Sequence, residues 1–367
     1  MAALGALVAA GCSPDPSVRA TQSDAIASID TRPPASEEPP PGTTTLPPLD
    51  TRPPPTLPSV EEPTTVPSEL EPTADGVGDA LFPDLGNPGV DVLDYTVDLT
   101  FDNAADRLSG SVTLRIELTD DRTEITLDST GPVVSTVTVD GAEAAFVEDD
   151  PELRITPPEP LDRGDVIDVR VEYSVVPTFA SGDEIPSGWF NSPQGSYVLN
   201  EPDGASSWLP SNDHPSDKAT WTFSITVDAG ATAVANGSLV SSSDGPDGAT
   251  WVWREDDPMP TYLILLVTGD YELVEGTGPN GLPLLSAVLR DDRQRVQPYL
   301  DSIDDQIDFF DNWFGPYPLD RYGITVSDSF SGLAMETQGR SLFSRDDLNG
   351  DTTYLQELLL SHELAHQ

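Results

Sequence analysis

From residue 92 onward, apolar and polar residues alternate along one segment of the chain after another. In the first of these segments the apolar positions are Tyr95, Val97, Leu99 and Phe101. Successive side chains of a β-strand point to opposite faces, so a period of two indicates strands with one buried face. The alternation returns at 112–118, 167–173 and 221–227, and a further apolar run occupies 262–267. We therefore predict an all-β antiparallel domain over residues 88–275, folded as a twisted, saddle-like sheet or a sandwich.

Beyond residue 275 the apolar spacing lengthens to three and four residues. The residues with this spacing are Val296, Leu300, Ile303, Ile307 and Phe310. They predict one helix, which ends at Gly315 and Pro316. A second apolar run, 355–360, continues into His362 without a Gly or Pro, so we expect His362 to lie on a helix as well. We assign residues 276–367 to a second domain.

Residues 13–87 have the composition of a disordered linker. Sixteen of the 37 prolines lie between Ser13 and Ala80, among Ser, Thr and acidic residues. Such a segment has too little apolar surface to offset the entropy that ordering it would cost. The pattern Asp-Thr-Arg-Pro-Pro occurs at 30–34 and again at 50–54, which is typical of an extended, low-complexity spacer.

The first twelve residues form a short apolar run that ends at Gly11 and Cys12. The run is too short to span a bilayer. It resembles a bacterial lipoprotein signal, in which the cysteine is lipidated after cleavage. We therefore expect residues 1–12 to be a signal segment, and the exported protein to be anchored to the membrane at the cell surface through Cys12. The alternative is that Cys12 is an incidental free thiol; since it is the sole cysteine, intramolecular disulfides are excluded.

The chain is strongly acidic, with a formal net charge of −47. Binding to a nucleic-acid backbone needs clustered Lys and Arg, so we expect no nucleic-acid partner. A surface of this charge is typical of a well-solvated protein.

The sequence His362-Glu363-Leu364-Ala365-His366 contains two of the three histidines in the chain. On a helix, residues four apart lie one above the other, so His362 and His366 can bind one metal ion while Glu363 projects beside them. Zinc is the metal that such a site prefers, because it binds imidazole nitrogens and keeps a position open for water. Glu363 would then be the general base that accepts a proton from that water. The alternative is a chance pair of histidines on a helix surface.

Twenty-six residues before His362, the segment 332–336 carries an isolated glutamate, Glu336. Its residues, Gly332-Leu333-Ala334-Met335-Glu336, resemble the Gly-Ala-Met-Glu-Asn exopeptidase motif of the aminopeptidase N family of zinc metallopeptidases, of the gluzincin type. Leu333 and Thr337 differ from the family's Gly and Asn. The resemblance extends over most of residues 92–367, including the segments 201–202, 212–218 and 313–318.

This resemblance implies a thermolysin-like α+β catalytic domain with one zinc ion, and hydrolysis of N-terminal residues from peptides with a free N-terminus. By motif position, Glu201 and Glu336 would bind the substrate's α-ammonium group, and Gly332, Ala334 and Met335 would lie in the substrate-binding segment. Two carboxylates at a fixed distance from zinc would place the first peptide bond over the metal.

The resemblance also implies residues that this sequence does not contain. In the family, a third zinc ligand, a Glu, follows the second His by about nineteen residues, and a Tyr further on stabilises the oxyanion. Both positions lie beyond Gln367. We therefore expect the chain to be an N-terminal fragment that is itself inactive, because two imidazoles alone bind zinc weakly.

Two other functions remain open from the sequence. An endopeptidase could use the same zinc motif, although Glu201 and Glu336 argue against it. Alternatively, the β domain could be the binding module of a cell-surface lipoprotein whose peptidase site no longer functions. His214 follows Asn212-Asp213 and precedes Pro215, so we interpret it as a turn residue that does not bind metal.

Overall fold

The computed structural model describes residues 76–149, 151–180, 186–246, 248–332, 334–348 and 354–367. The predicted signal segment with Cys12, and the predicted linker up to residue 75, lie outside the described residues. The end of that linker lies against the β domain. Asn87 is buried, and its backbone N–H donates to Asn212 Oδ1 at 2.7 Å.

Up to residue 269, the described part of the chain contains sixteen strands. They are β1 (Val90–Asp102), β2 (Arg107–Leu118), β3 (Ile125–Asp128), β4 (Val133–Val139), β5 (Ala142–Glu143), β6 (Ala145–Asp149), β7 (Glu152–Thr156), β8 (Val166–Val175), β9 (Phe179–Ala180), β10 (Ser187–Ser192), β11 (Gly195–Leu199), β12 (Ala219–Val227), β13 (Thr232–Ala235), β14 (Ser238–Gly245), β15 (Gly248–Met259) and β16 (Leu266–Gly269). Eight strands form one sheet in the order β14-β15-β12-β1-β2-β8-β4-β5. Five form a second sheet, β13-β16-β11-β10-β9, and three form a third, β3-β7-β6.

The alternation in the sequence matches the burial in the eight-stranded sheet. In β1, the side chains of Tyr95, Val97, Leu99 and Phe101 are buried, whereas the residues between them are exposed. Trp221 on the neighbouring β12 stacks on Tyr95 with ring centroids 3.9 Å apart, and its indole N–H donates to the Met259 carbonyl oxygen. The prediction of an all-β domain is confirmed, and its neighbouring strands are antiparallel except for β1 and β12, which are parallel.

The predicted strand at 262–267 begins later than expected. Tyr262 lies in a 3-10 turn, Thr261–Leu263, and the strand β16 starts at Leu266. The carbonyl oxygen of Leu263 accepts hydrogen bonds from the Gln338 backbone N–H and from Asn236 Nδ2, so it does not take part in strand pairing. Contacts between residues this far apart in the chain cannot be read from the local sequence pattern.

The second part of the chain contains a four-stranded mixed sheet and three α-helices among the described residues. The strands are β17 (Tyr271–Thr277), β18 (Pro283–Leu289), β19 (Ile324–Ser327) and β20 (Ser341–Ser344), and the helices are α1 (Arg293–Leu300), α2 (Ile303–Phe314) and α3 (Tyr354–His366). β17 and β18 are antiparallel, whereas β18, β19 and β20 run parallel. This combination is the α+β arrangement that was predicted.

The single helix predicted over 296–310 is wrong, because two helices, α1 and α2, meet at Asp301 and Ser302. There the Ser302 backbone N–H and its hydroxyl both donate to the Tyr299 carbonyl oxygen, at 3.2 and 2.8 Å. A serine side chain that binds a carbonyl three residues back competes with the regular helical pattern. Across the described ranges, no helix has the length and apolar character needed to cross a bilayer.

Candidate active site

The helix α3 presents both motif histidines on one face. His362 Nε2 and His366 Nε2 lie 3.2 Å apart. Two nitrogens bound to one tetrahedral zinc ion at bonds of about 2.0–2.1 Å are separated by about 3.3 Å, so the pair fits zinc without rearrangement. Leu360 and Leu364 are buried on the other side of α3 and hold this face in place.

Glu363 lies between the two histidines in sequence and is buried. Burial, together with the negative charges of Glu336 and Glu201, raises the pKa of its carboxyl group to about 7. A general base works best when its pKa lies near the working pH. The environment of Glu363 therefore suits a group that takes up and releases a proton near neutrality.

Glu336 approaches α3 from the segment that precedes β20. Its Oε1 lies 3.7 Å from His366 Nδ1, the ring nitrogen that does not face His362. The segment is held as a sheet edge, because Met335 and Leu342 exchange backbone hydrogen bonds of 2.9 and 2.8 Å. Gln367 also contacts this segment, because its Nε2 donates to the Glu336 carbonyl oxygen at 2.9 Å.

Glu201 reaches the same place from the β domain. It follows β11 and is joined to Pro202 by a cis peptide bond. Partial burial raises the pKa of its carboxyl group, the negative charge of Glu336 raises it further, and His366 lowers it. The Glu201 and Glu336 carboxylates therefore form a local concentration of negative charge. Such a pair is suited to a cationic group.

The structure brings together Glu201, Glu336, Glu363, His362 and His366, which come from three different parts of the sequence. Glu336, Glu363 and His366 offer ligand atoms that all lie within 4.8 Å of one another. The two histidines suit zinc better than this set does, because zinc favours nitrogen ligands and the separation of their Nε2 atoms is close to that in a tetrahedral zinc site.

The other predicted substrate-binding residues differ in their burial and contacts. Gly332 is exposed, and its N–H donates to Asp347 Oδ2 at 2.7 Å. Ala334 is half-buried, and the Met335 side chain is buried in the core. Leu333 lies outside the described residues.

His214 is held in a turn of the β domain. Its Nδ1 lies 2.7 Å from Ser216 Oγ, and its Nε2 lies 3.6 Å from Asp79 Oδ2. Both ring nitrogens therefore face neighbouring residues of the β domain and of the segment before it. These are the contacts of a structural turn residue, as the sequence indicated.

Comparison with known proteins identifies the family. Residues 92–263 match the Peptidase M1 N-terminal domain. The crystal structure of an M1 zinc metallopeptidase from Deinococcus radiodurans superposes with a TM-score of 0.71 at 31% identity, over 79% of this chain and 67% of that one. The chain belongs to the M1 family of zinc metallopeptidases. A variant of the Deinococcus enzyme has been solved with a Tyr-Ser-Ala substrate bound.

Curated M1 relatives include aminopeptidases from distant organisms. Aminopeptidase N of Haemonchus contortus is 27% identical over 179 residues, which cover 46% of this chain and 18% of the relative. Leucyl aminopeptidase of Saccharolobus solfataricus is 24% identical over 264 residues, 69% of this chain and 32% of the relative. The chain thus spans a third or less of the length of these two relatives. The predicted resemblance to the aminopeptidase N family is confirmed.

Two residues of this M1 site were missed by the sequence analysis. Tyr262 is half-buried, and burial, followed by the charges of Glu336 and Glu201, raises the pKa of its phenol. Gln367 connects α3 to the segment that carries Glu336. Its Nε2 donates to the Glu336 carbonyl oxygen, and its Oε1 accepts from the Gly339 N–H. The sequence predicted Tyr262 to lie in a strand and so gave no sign of a role in the site. No local sequence pattern distinguishes Gln367 from other polar residues.

Proposed function

We propose that this protein is a zinc-dependent aminopeptidase that removes N-terminal residues from peptides. The observation that carries the proposal is the convergence of Glu201 and Glu336 on the face of α3 that presents His362 and His366. A metal site alone would serve any zinc hydrolase. A pair of carboxylates beside it adds a binding place for a free α-ammonium group.

Zinc held by His362 and His366 would supply Lewis acidity to a water molecule and to the scissile carbonyl. Glu363 accepts the proton that this water loses, and it later donates the proton to the nitrogen of the departing amine.

Glu201 and Glu336 set the register of the substrate. Glu201, in the β domain, and Glu336, in the segment 332–336, both bind the α-ammonium group of the substrate. Only the first peptide bond therefore reaches the metal. A peptide with an acetylated N-terminus lacks the positive charge and gains no such binding. The same pair disfavours internal cleavage.

The test compares two peptides that differ only in N-terminal acetylation, with the full-length gene product as enzyme. We expect efficient cleavage of the free peptide and little cleavage of the acetylated one. The Glu336→Gln variant should lose most of this discrimination, whereas Glu143→Gln, which changes an exposed glutamate of β5, should keep it. Equal cleavage of the two peptides by the unmodified protein would indicate an endopeptidase, and no cleavage of either would favour a binding module.

We also propose that the protein is exported and anchored to the membrane at the cell surface through a lipid on Cys12. The support is the apolar run that ends at Gly11 and Cys12, followed by a Pro-rich sequence. Expression in the source organism, followed by membrane fractionation, tests this. We expect the unmodified protein in the membrane fraction and Cys12→Ala in the soluble fraction; equal distribution of both would contradict the anchor.

A further inference from the structure

We propose that Arg340 is a positioning residue that fixes the Glu336 carboxylate relative to Glu201 and α3, which makes it a determinant of amine binding. The proposal rests on the function proposed above. Arg340 contacts neither metal ligand nor substrate site directly, and it acts through the turn that follows Glu336.

The turn from Glu336 to Arg340 is closed by the backbone of Arg340 itself. The Arg340 N–H donates to the Thr337 carbonyl oxygen at 3.1 Å, and the Thr337 hydroxyl donates back to the Arg340 carbonyl oxygen at 2.6 Å. Residues 337–340 are all buried, although Glu336 itself is half-buried. A displacement of Arg340 would therefore be transmitted to Glu336 over a short, rigid connection.

The guanidinium group of Arg340 binds three backbone carbonyl oxygens in different elements. Nε donates to Leu285 of β18 at 2.8 Å, one terminal nitrogen donates to Ala235 of β13, and the other donates to Gly237 at 3.1 Å. The group also lies over the Trp253 ring, 5.0 Å from its centroid. The planar fork of arginine can bind partners in these separate directions at once, whereas a lysine ammonium cannot reproduce them.

These partners belong to two different sheets. β13 is part of the five-stranded sheet that also contains β11, and Glu201 follows β11 by two residues. β18 is part of the four-stranded sheet that contains β20, which follows the turn. Arg340 thus ties the segment with Glu336 to the sheet with Glu201, and the distance between the two carboxylates depends on this connection.

A second contact supports the same turn. Asn236 Nδ2 donates to the Gln338 carbonyl oxygen at 3.0 Å, while Asn236 Oδ1 accepts from the Leu265 N–H at 2.7 Å. The Gln338 backbone N–H also donates to the Leu263 carbonyl oxygen, and Gln367 contacts the turn from α3. Among these contacts, those of Asn236 and Arg340 attach the turn to β13 and to the two residues that follow it.

The decisive experiment is a double-mutant cycle between Arg340→Lys and Glu336→Gln in the full-length gene product, with kcat and KM measured separately. In the unmodified background, Arg340→Lys should raise KM for a free-amine peptide roughly tenfold or more, because small misplacements of a binding group are costly. In the Glu336→Gln background the same change should raise KM less than about twofold. Arg122→Lys, which alters an arginine bound to Asp120 in the β domain, controls for the loss of a guanidinium group.

A merely structural role would raise KM equally in both backgrounds, and that result would overturn the proposal. Crystal structures of the unmodified protein and of Arg340→Lys provide a readout that does not depend on activity. We expect the separation between Glu336 Oε1 and His366 Nδ1, 3.7 Å here, to change in the variant and not in Arg122→Lys. An unmodified protein without peptidase activity would refute the proposed function, whereas an unchanged separation would refute the role of Arg340.

Discussion

The eight-stranded sheet and the turn from Glu336 to Arg340 are stabilised in different ways. Strand β1 of the sheet buries about one residue in every two, and it pairs with β2 from end to end, for example between Val97 and Val112. The turn has little apolar surface of its own, and it is held by side chains from distant elements, among them Asn236 and Gln367. The β domain therefore depends on many similar apolar contacts, whereas the site depends on a few polar contacts.

The largest expected effect separates catalysis from stability. Glu363→Gln should lower kcat by about 10²–10⁴-fold, because it removes the group that accepts and returns the proton. The free energy of unfolding at pH 7 should stay the same or rise, since the buried carboxyl group resists ionisation. Peptidase assays and denaturant unfolding of the same preparations check both, with zinc content as a control for the site. A large loss of stability would mean that Glu363 is mainly structural.

In the eight-stranded sheet, we expect a substitution to lower stability and leave the site unchanged. Trp221→Ala should lower the free energy of unfolding by about 3–5 kcal/mol, because it empties a fully buried position between Tyr95 and Phe223. In the protein that remains folded, zinc binding and KM should be unchanged. Urea unfolding followed by assays on the folded fraction measures this. Altered KM with little loss of stability would show that the sheet and the site are not separable.

A smaller effect is expected from buried acids of the β domain. Burial raises the pKa of Asp213 to about 7 and that of Asp128 to about 6, well above the value of about 3.9 in an unfolded chain. The folded state therefore keeps protons that the unfolded state has lost, and this contribution to stability is complete below about pH 4 and declines as pH rises through 6 and 7. Asp213→Asn should flatten the decline between pH 5 and 8, whereas Asp98→Asn, at an exposed position of β1, should not. Unfolding curves of both variants, measured across this pH range, test this difference.

The smallest effect is expected at the break between α1 and α2. Ser302→Ala removes the hydroxyl that binds the Tyr299 carbonyl oxygen, and it should change the free energy of unfolding by no more than about 1 kcal/mol. Zinc content and peptidase activity should not change. A clear loss of activity would mean that the break contributes to the position of α3, which packs against α2 in the second core cluster.

Much of the β domain could be predicted from the sequence, because the period of two is a local signal that directly reflects burial. The placement of His362 and His366 on one helix face could also be predicted, because it follows from their spacing of four residues. Tyr262, Asn236 and Arg340 were not predicted, because their roles come from contacts between residues far apart in the chain. Asn236 even begins a glycosylation pattern, yet it is fully buried and its side chain binds three backbone groups.

We expect one site to hold zinc and a free amine side by side. Diffraction from crystals of the zinc-loaded full-length gene product, soaked with L-leucine and measured at the zinc absorption edge, tests it most directly. We predict an anomalous peak between His362 Nε2 and His366 Nε2, with the leucine ammonium group between the carboxylates of Glu201 and Glu336. A zinc peak elsewhere, or an ammonium group that contacts neither carboxylate, would contradict the claim.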